Sequence, residues 1–254
     1  PGRIIALEMG GNNPAVVMPS CDLRQAVLEC LRAGYATSGQ RCTCTRRLIL
    51  HRDIADRFIT AFAKGASTIV VGPGKAKEPV FMGPVISEDA ANAVIKFQES
   101  LAKRGGKVVL EAARLDRPGH FVSPGLVEVD SFSLEFDQEV FGPMVQFTIV
   151  DSLDEAIAQA NATRYGLAAS IFTNDDDDYK QFFRGCRAGC INRNTGTAGA
   201  SSKLPFGGLG HSGNHRPAAA FAVDYCAYPV ANMVEKSSDA AVPAGLMFDD
   251  NWLR

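Results

Sequence analysis

The sequence predicts an α/β domain with a mostly parallel sheet flanked by helices. Three observations lead there. Short apolar runs suited to buried strands alternate with segments whose apolar residues recur at the 3.6-residue helical period. The alternation keeps the spacing of βαβ units, which is how a chain builds parallel strands. Capping residues and Gly-Pro breaks fall between these segments rather than inside them.

Taken in order, Ile4 to Leu7 is an apolar run suited to a buried strand, and residues 14–18 form another. Asp22 is placed to cap a helix carrying Leu23, Ala26, Val27, Cys30, Leu31 and Gly34 on one face. That helix delivers the chain to a polar, glycine-led loop at residues 39–44. Leu48 to Leu50 reads as a strand, and residues 53–66 repeat the helical pattern through Ile54, Phe58, Ile59 and Phe62. After breaks at Gly72-Pro73-Gly74 and Gly83-Pro84, a helix runs from Ser87 to Lys103. Residues 108–110, 125–127 and 145–150 read as strands. Residues 152–161 form a helix capped by Ser152 or Asp151, and residues 167–172 are another buried strand.

Two motifs invite readings that their surroundings do not support. Asp175 to Asp178 are acidic enough for calcium, but an EF-hand needs glycine sixth and a carboxylate twelfth, where Lys180 and Cys186 stand. They fit better as the acidic first turn of a helix through residues 179–184. Gly208-Leu209-Gly210-His211-Ser212-Gly213 matches the G-x-G-x-x-G pattern without the strand, helix and βαβ unit that give it meaning. From Asn194 onward the chain is small, polar and glycine-dense, and predicts loops.

Composition narrows the function classes. At 254 residues, 46% hydrophobic and 21% charged, the chain can bury one large core. A formal net charge of −2 offers no basic footprint for nucleic acid. No apolar run approaches the ~20 residues that span a bilayer. Seven cysteines, an odd number, and four scattered histidines, with no Cys-x-x-Cys, argue against a disulfide framework and a metal site. Reduced thiols in a cytoplasmic enzyme are the expectation. The chain opens on Pro1-Gly2-Arg3 and enters a strand-like run at once, so it is expected to be the C-terminal part of a longer polypeptide.

Cys42, in Gly39-Gln40-Arg41-Cys42-Thr43-Cys44, stands on a polar loop and not on an apolar stripe, which marks it as a candidate nucleophile. Arg41, Arg46 and Arg47 put positive charge nearby, which favours the thiolate; Cys44 is the rival thiol. Glu8 lies between Leu7 and Met9 on the first apolar run. A carboxylate buried there needs a partner or a raised pKa, and a raised pKa suits a general base. Gly10 and Gly11 let backbone approach a ligand closely. A third block, Glu139-Val140-Phe141-Gly142-Pro143, follows.

These three blocks, in this order, resemble the aldehyde dehydrogenase superfamily, and the resemblance covers essentially the whole chain. It implies that Cys42 is the catalytic thiol, Glu8 the general base, and Glu139, Phe141 and Gly10 part of a nicotinamide cofactor site, with NAD preferred over NADP. It implies three segments: residues 1–10 ending a cofactor domain, 11–207 forming the catalytic domain, and 208–254 a return loop, oligomerisation strand and tail. The glycine-rich pyrophosphate loop of the superfamily has no counterpart here. A small-molecule aldehyde substrate and a homo-oligomer follow by the same resemblance. More narrowly, Leu7 to Pro14, Arg41 to Cys44, Ser212 to Pro217 and Asp224 to Ala227 resemble an arginine-catabolic branch acting on a succinylated glutamate semialdehyde. For its two carboxylates, Arg193, Asn192, Ser201, His215 and Arg216 are the candidate contacts, Arg193 first because its planar fork grips a carboxylate. Another semialdehyde dehydrogenase of the superfamily stays open as an alternative, and a cysteine-dependent esterase and a non-catalytic interaction fragment as other classes.

Overall fold

The computed structural model describes residues 4–215 and 218–254. One seven-stranded sheet carries them. Its strands are β1 (Asn13–Val17), β2 (Thr45–His51), β3 (Lys107–Leu110), β4 (Gly125–Glu128), β5 (Met144–Val150), β6 (Ala168–Phe172) and β7 (Cys190–Arg193). They lie in the order β3-β4-β5-β2-β1-β6-β7, all neighbours parallel except the β3–β4 pair at one edge.

Residues two apart on a strand share a face, and this divides the core. Ala15, Val17, Leu48, Leu50, Val145 and Phe147 point one way, against helices α1 (Leu23–Tyr35) and α2 (Arg52–Ser67). Val16, Ile49, Val150, Ala169 and Ile171 point the other way, against α4 (Leu153–Asn161) and α5 (Asp176–Gly185). On that second face α3 (Glu88–Lys103) covers Val127 and Met144. Buried on both sides, these strands read as near-continuous apolar runs.

The caps are those the sequence supplies. Asp22 accepts from the Gln25 N–H at 2.8 Å, Ser87 from Ala90 at 3.1 Å and Ser152 from Glu155 at 3.2 Å. Each such cap contributes about 1 kcal/mol. Asp175 caps α5 by accepting from Asp177 and Asp178. The rest of the acidic run is spent locally, Asp178 on Thr173, Asp177 on Lys180 and Asp176 on Arg193. Among the described residues no cluster has the make-up of a metal site.

One expectation does not hold. Ile4 to Leu7 is not a buried strand: Ile5 is 66% exposed and the run has no ladder of its own. A strand there needs neighbours on both sides, and within the described residues it meets only residues 212–214. There Leu7 N–H donates to Asn214 Oδ1, Met9 N–H to Ser212 O, and Glu8 forms a single antiparallel bridge with Gly213. The segment after Cys226 is exposed and pairs with no strand of the described chain. Ahead of it, β8 (Pro205–Phe206) and β9 (Ala218–Ala219) make a small antiparallel pair, and α6 (Ala222–Cys226) is a single turn and a half.

Because six strands run the same way, the segments entering β1, β2, β5, β6 and β7 meet along one edge of the sheet. The candidate residues come together there.

Candidate active site

Each of the three sequence blocks enters a strand at this edge: Gly10-Gly11 before β1, Cys42 before β2, and Glu139–Pro143 before β5. They are tied to one another. The Gly11 N–H donates to Glu139 Oε1 at 2.9 Å, and Arg46 Nη2 lies 3.3 Å from the same oxygen. A Cβ on Gly10 would overlap Glu139 Oε2, and one on Gly11 would lie 2.6 Å from the Cys42 carbonyl oxygen. At Gly11 the neighbour is backbone and glycine is required, whereas a side chain at Gly10 would displace the end of the Glu139 side chain.

Arg46 is the hub. It is buried, and its guanidinium donates to the carbonyls of Gly39, Arg41, Cys44 and Val140 while facing Glu139. Its charge also sits 5.1 Å from the centre of the Phe141 ring, the other side of which is open to solvent. Glu139 lies beside a part-exposed aromatic ring, next to the Gly10-Gly11 pair. Gly10, Glu139 and Phe141 could hold a ribose and a flat heterocycle there.

The loop bearing Cys42 is built with unusual backbone. Thr37, Ser38 and Gly39 all have positive φ, at 54°, 56° and 69°. Ser38 Oγ donates to the Gly83 carbonyl, and Gln40 Oε1 accepts from the Ile86 N–H, which pins the turn from outside. A Cβ on Gly39 would strike the Gly142 carbonyl, so this loop and the Glu139 block are in backbone contact.

The Cys42 thiol is half-buried. The Thr43 and Cys42 amides point at the sulfur, but burial outweighs them and, with Glu139 adding to it, pushes the thiol above its ordinary value. This corrects the expectation that the arginines depress it. Arg46 does lower it, but as the smallest contributor, while Arg41 is exposed and Arg47 points to the opposite face of the sheet. Cys44 is 1% exposed, and its thiol too is raised by burial. Glu8 corrects the other expectation. It is exposed, and among the described residues its carboxylate has no hydrogen-bonded or ion-paired partner.

Several residues of the site escaped the sequence reading. Asn13 is 1% exposed and uses its whole amide: Nδ2 donates to the carbonyls of Cys42 and Cys44, and Oδ1 accepts from the Ala168 N–H. Thr197, fully buried, donates to the Thr43 carbonyl at 2.7 Å and shares a hydrogen bond with Thr45, locking the 195–198 loop under Cys42. Glu29 holds the same loop from α1 through Gly196 N–H and Thr195 Oγ1. Cys190 is half-buried, and its thiol lies within electrostatic reach of Cys42. The Glu139 backbone reaches the Tyr165 hydroxyl. Only the Thr-x-Thr pattern at 43–45 and 195–197 hinted at any of this.

The substrate candidates fare differently. Arg193 ends β7, the far end from Cys190, and there it donates to Asp176 at 2.6 Å and to the Thr173 carbonyl while stacking on Tyr179. It belongs to the opposite edge of the sheet and is not retained. Asn192 is spent on the Gly196 carbonyl at 3.0 Å. Ser201 and His215 are exposed, His215 with φ of 59°; Arg216 lies outside the described residues. Among the described residues no histidine hydrogen-bonds the Cys42 thiol: His51 caps α2 and His211 packs edge-on against Tyr165.

The profile of the aldehyde dehydrogenase family matches residues 2–229. An N-succinylglutamate 5-semialdehyde dehydrogenase of Novosphingobium aromaticivorans is 43% identical over 249 residues, covering 98% of this chain and 53% of that protein. Among solved structures, betaine aldehyde dehydrogenase of Staphylococcus aureus in complex with NAD+ superposes with a TM-score of 0.81 at 29% identity, over 87% of this chain and 44% of that one. Glyceraldehyde-3-phosphate dehydrogenase GapN of Methanocaldococcus jannaschii complexed with NADP gives 0.80 at 32% identity, over 87% and 47%. The chain spans about half the length of the curated relative it matches.

Proposed function

The chain belongs to the aldehyde dehydrogenase family, and from that premise we propose that it carries the catalytic half of an enzyme oxidising an aldehyde to a carboxylate. The observation that supports this most is the convergence of Cys42, the Gly10-Gly11 strand entry and Glu139 at one sheet edge, joined by the Gly11–Glu139 hydrogen bond and Arg46.

Cys42 acts as nucleophile. Its thiolate adds to the aldehyde carbon, and the oxyanion of the thiohemiacetal receives the backbone N–H of Cys42. A nicotinamide dinucleotide, NAD or NADP, would supply the acceptor for the hydride that this carbon must lose. Glu139 and Phe141 would hold it, with Gly10 leaving room. The thioester left on Cys42 is hydrolysed by water that Glu8 deprotonates. Exposed and, among the described residues, without a partner, Glu8 sits on a segment stitched to residues 212–214, which suits a base that moves toward the thioester.

The substrate we propose is N-succinyl-L-glutamate 5-semialdehyde, in arginine catabolism, supported by the name of the 43% identical relative. Its carboxylates are not assigned to Arg193. Ser201 and His215 stay as candidates, and Arg216 as a candidate outside the described residues. We further propose residues 1–10 and 208–254 as cofactor-domain and oligomer segments around a catalytic domain at 11–207. The stitching of residues 5–9 to 212–214 supports joining the two ends. Exposed apolar side chains on the tail, such as Val230 and Met233, support a homo-oligomer.

The test is aldehyde-dependent NADH formation by the full-length protein. Cys42→Ser should lower turnover on the order of a thousandfold, because a hydroxyl is a far weaker nucleophile, while Cys44→Ser keeps most of it. Glu8→Gln should keep an early burst of NADH of up to one per site and then turn over slowly. A dead Cys44→Ser with a live Cys42→Ser would move the nucleophile to Cys44, and loss of the burst in Glu8→Gln would remove Glu8 from the hydrolytic step.

A further inference from the structure

The Cys42 loop enters β2 through an irregular piece of ladder. Pairing between β1 and β2 opens with Asn13 opposite Thr45 and then skips Arg46, since Pro14 stands opposite Arg47. Such a bulge re-aims side chains beside a site. Cys42 and Cys44 precede the paired residues, so their carbonyls need a donor from outside the ladder.

Asn13 supplies it to both. Its Nδ2 donates to the Cys42 carbonyl at 2.7 Å and to the Cys44 carbonyl at 2.8 Å, and its Oδ1 accepts from the Ala168 N–H at 3.0 Å. Two carbonyls on one side and an N–H on the other fix which end of the amide is nitrogen. The residue is 1% exposed and ties the entrances of β1, β2 and β6 together.

A trans peptide points its C=O and the following N–H in opposite directions within one plane. The Cys42 carbonyl and the Thr43 N–H share such a plane. With the oxygen held toward Asn13, the N–H is turned the other way, and it reaches the Cys42 sulfur. We propose that Asn13 is a positioning residue for the nucleophile, which keeps the Thr43 N–H on the Cys42 sulfur by holding the Cys42 carbonyl. This rests on the reading of Cys42 as the nucleophile. The thiolate is the form that adds to an aldehyde, so the aim of this N–H sets how much of the reactive form is present.

The next peptide plane lacks that aim. Thr197 donates to the Thr43 carbonyl at 2.7 Å, and the N–H of that plane, from Cys44, is spent on the Arg41 carbonyl at 3.1 Å. Thr197 is as buried as Asn13 and holds the same loop. It therefore shares the structural part of Asn13's role and not the orienting part.

The pH profile of iodoacetamide alkylation at Cys42 in the full-length protein separates the two, followed by peptide mass spectrometry with the melting temperature alongside. Asn13→Ala should move the midpoint upward by about half a pH unit or more and slow alkylation at pH 7 roughly threefold, because a donor to the charged form is lost. Asn13→Ser, with one short donor in place of two, should move it the same way and serves if the alanine variant does not fold. Thr197→Val should lower the melting temperature and leave the midpoint in place. A midpoint unchanged or lower in a folded Asn13 variant, or one that moves as far in Thr197→Val, would overturn the proposal. Alkylation uses no aldehyde and no cofactor, so an unmoved midpoint counts against Asn13, whereas an active Cys42→Ser enzyme counts against the nucleophile.

Discussion

Cys42 is flanked by groups that pull its proton in opposite directions. Burial and the Glu139 charge hold the thiol protonated, while two backbone amides and the Arg46 guanidinium favour the thiolate. The net direction is upward, so at neutral pH the free chain holds less thiolate than an ordinary cysteine. Alkylation of Cys42 by iodoacetamide should then be slower at pH 7 than that of free cysteine, which titrates near ~8.5, and should still be rising above that pH. A rate that levels off below pH 8 would mean that the arginines win after all. The thiol was legible in the sequence because a cysteine among Gly, Gln and Arg fits no core pattern. The direction of its shift was not. Sequence places Arg46 and Arg47 side by side, yet alternation along β2 sends one toward Glu139 and the other through the sheet to Gln159 and Ala160.

The helices and strands were legible wherever a polar cap met a periodic segment. α1, α3 and α4 begin beside the cap residues the sequence offers, and β5 and β6 match their apolar runs within a residue. What could not be read is the shape of a loop whose partners are distant in sequence. The turn at residues 37–39 is left-handed for three residues in a row, two of them not glycine, and it is held by Gly83, Ile86 and Gly142. Gly39→Ala meets both a φ of 69° and the Gly142 carbonyl. The two effects together should cost about 2–4 kcal/mol in denaturant unfolding. Because the turn carries Cys42, alkylation of the thiol should change as well. A variant as stable as the parent would show that this turn relaxes without strain.

Strand alternation gave the sheet its parallel character in advance, but not the order of its strands, because order is settled by which helices lie on which face. That gap explains the fate of Arg193. It stands three residues after Cys190, close in sequence, but a strand crosses the sheet at about 3.3 Å per residue and carries it to the far edge, beside Asp176. Glu139, Gly10 and Cys42 were recognised together because all three precede their strands. The same sheet order has a consequence for how the chain is made. An interior strand, β1, is the first of the seven to leave the ribosome, while its neighbour β6 is the sixth. At about 5–20 residues per second, β1 waits on the order of ten to thirty seconds with one side unpaired. Through that interval Ala15 and Val17 depend on the early pair α1 and β2 for cover, so pausing before β6 exposes an apolar edge to neighbouring nascent chains.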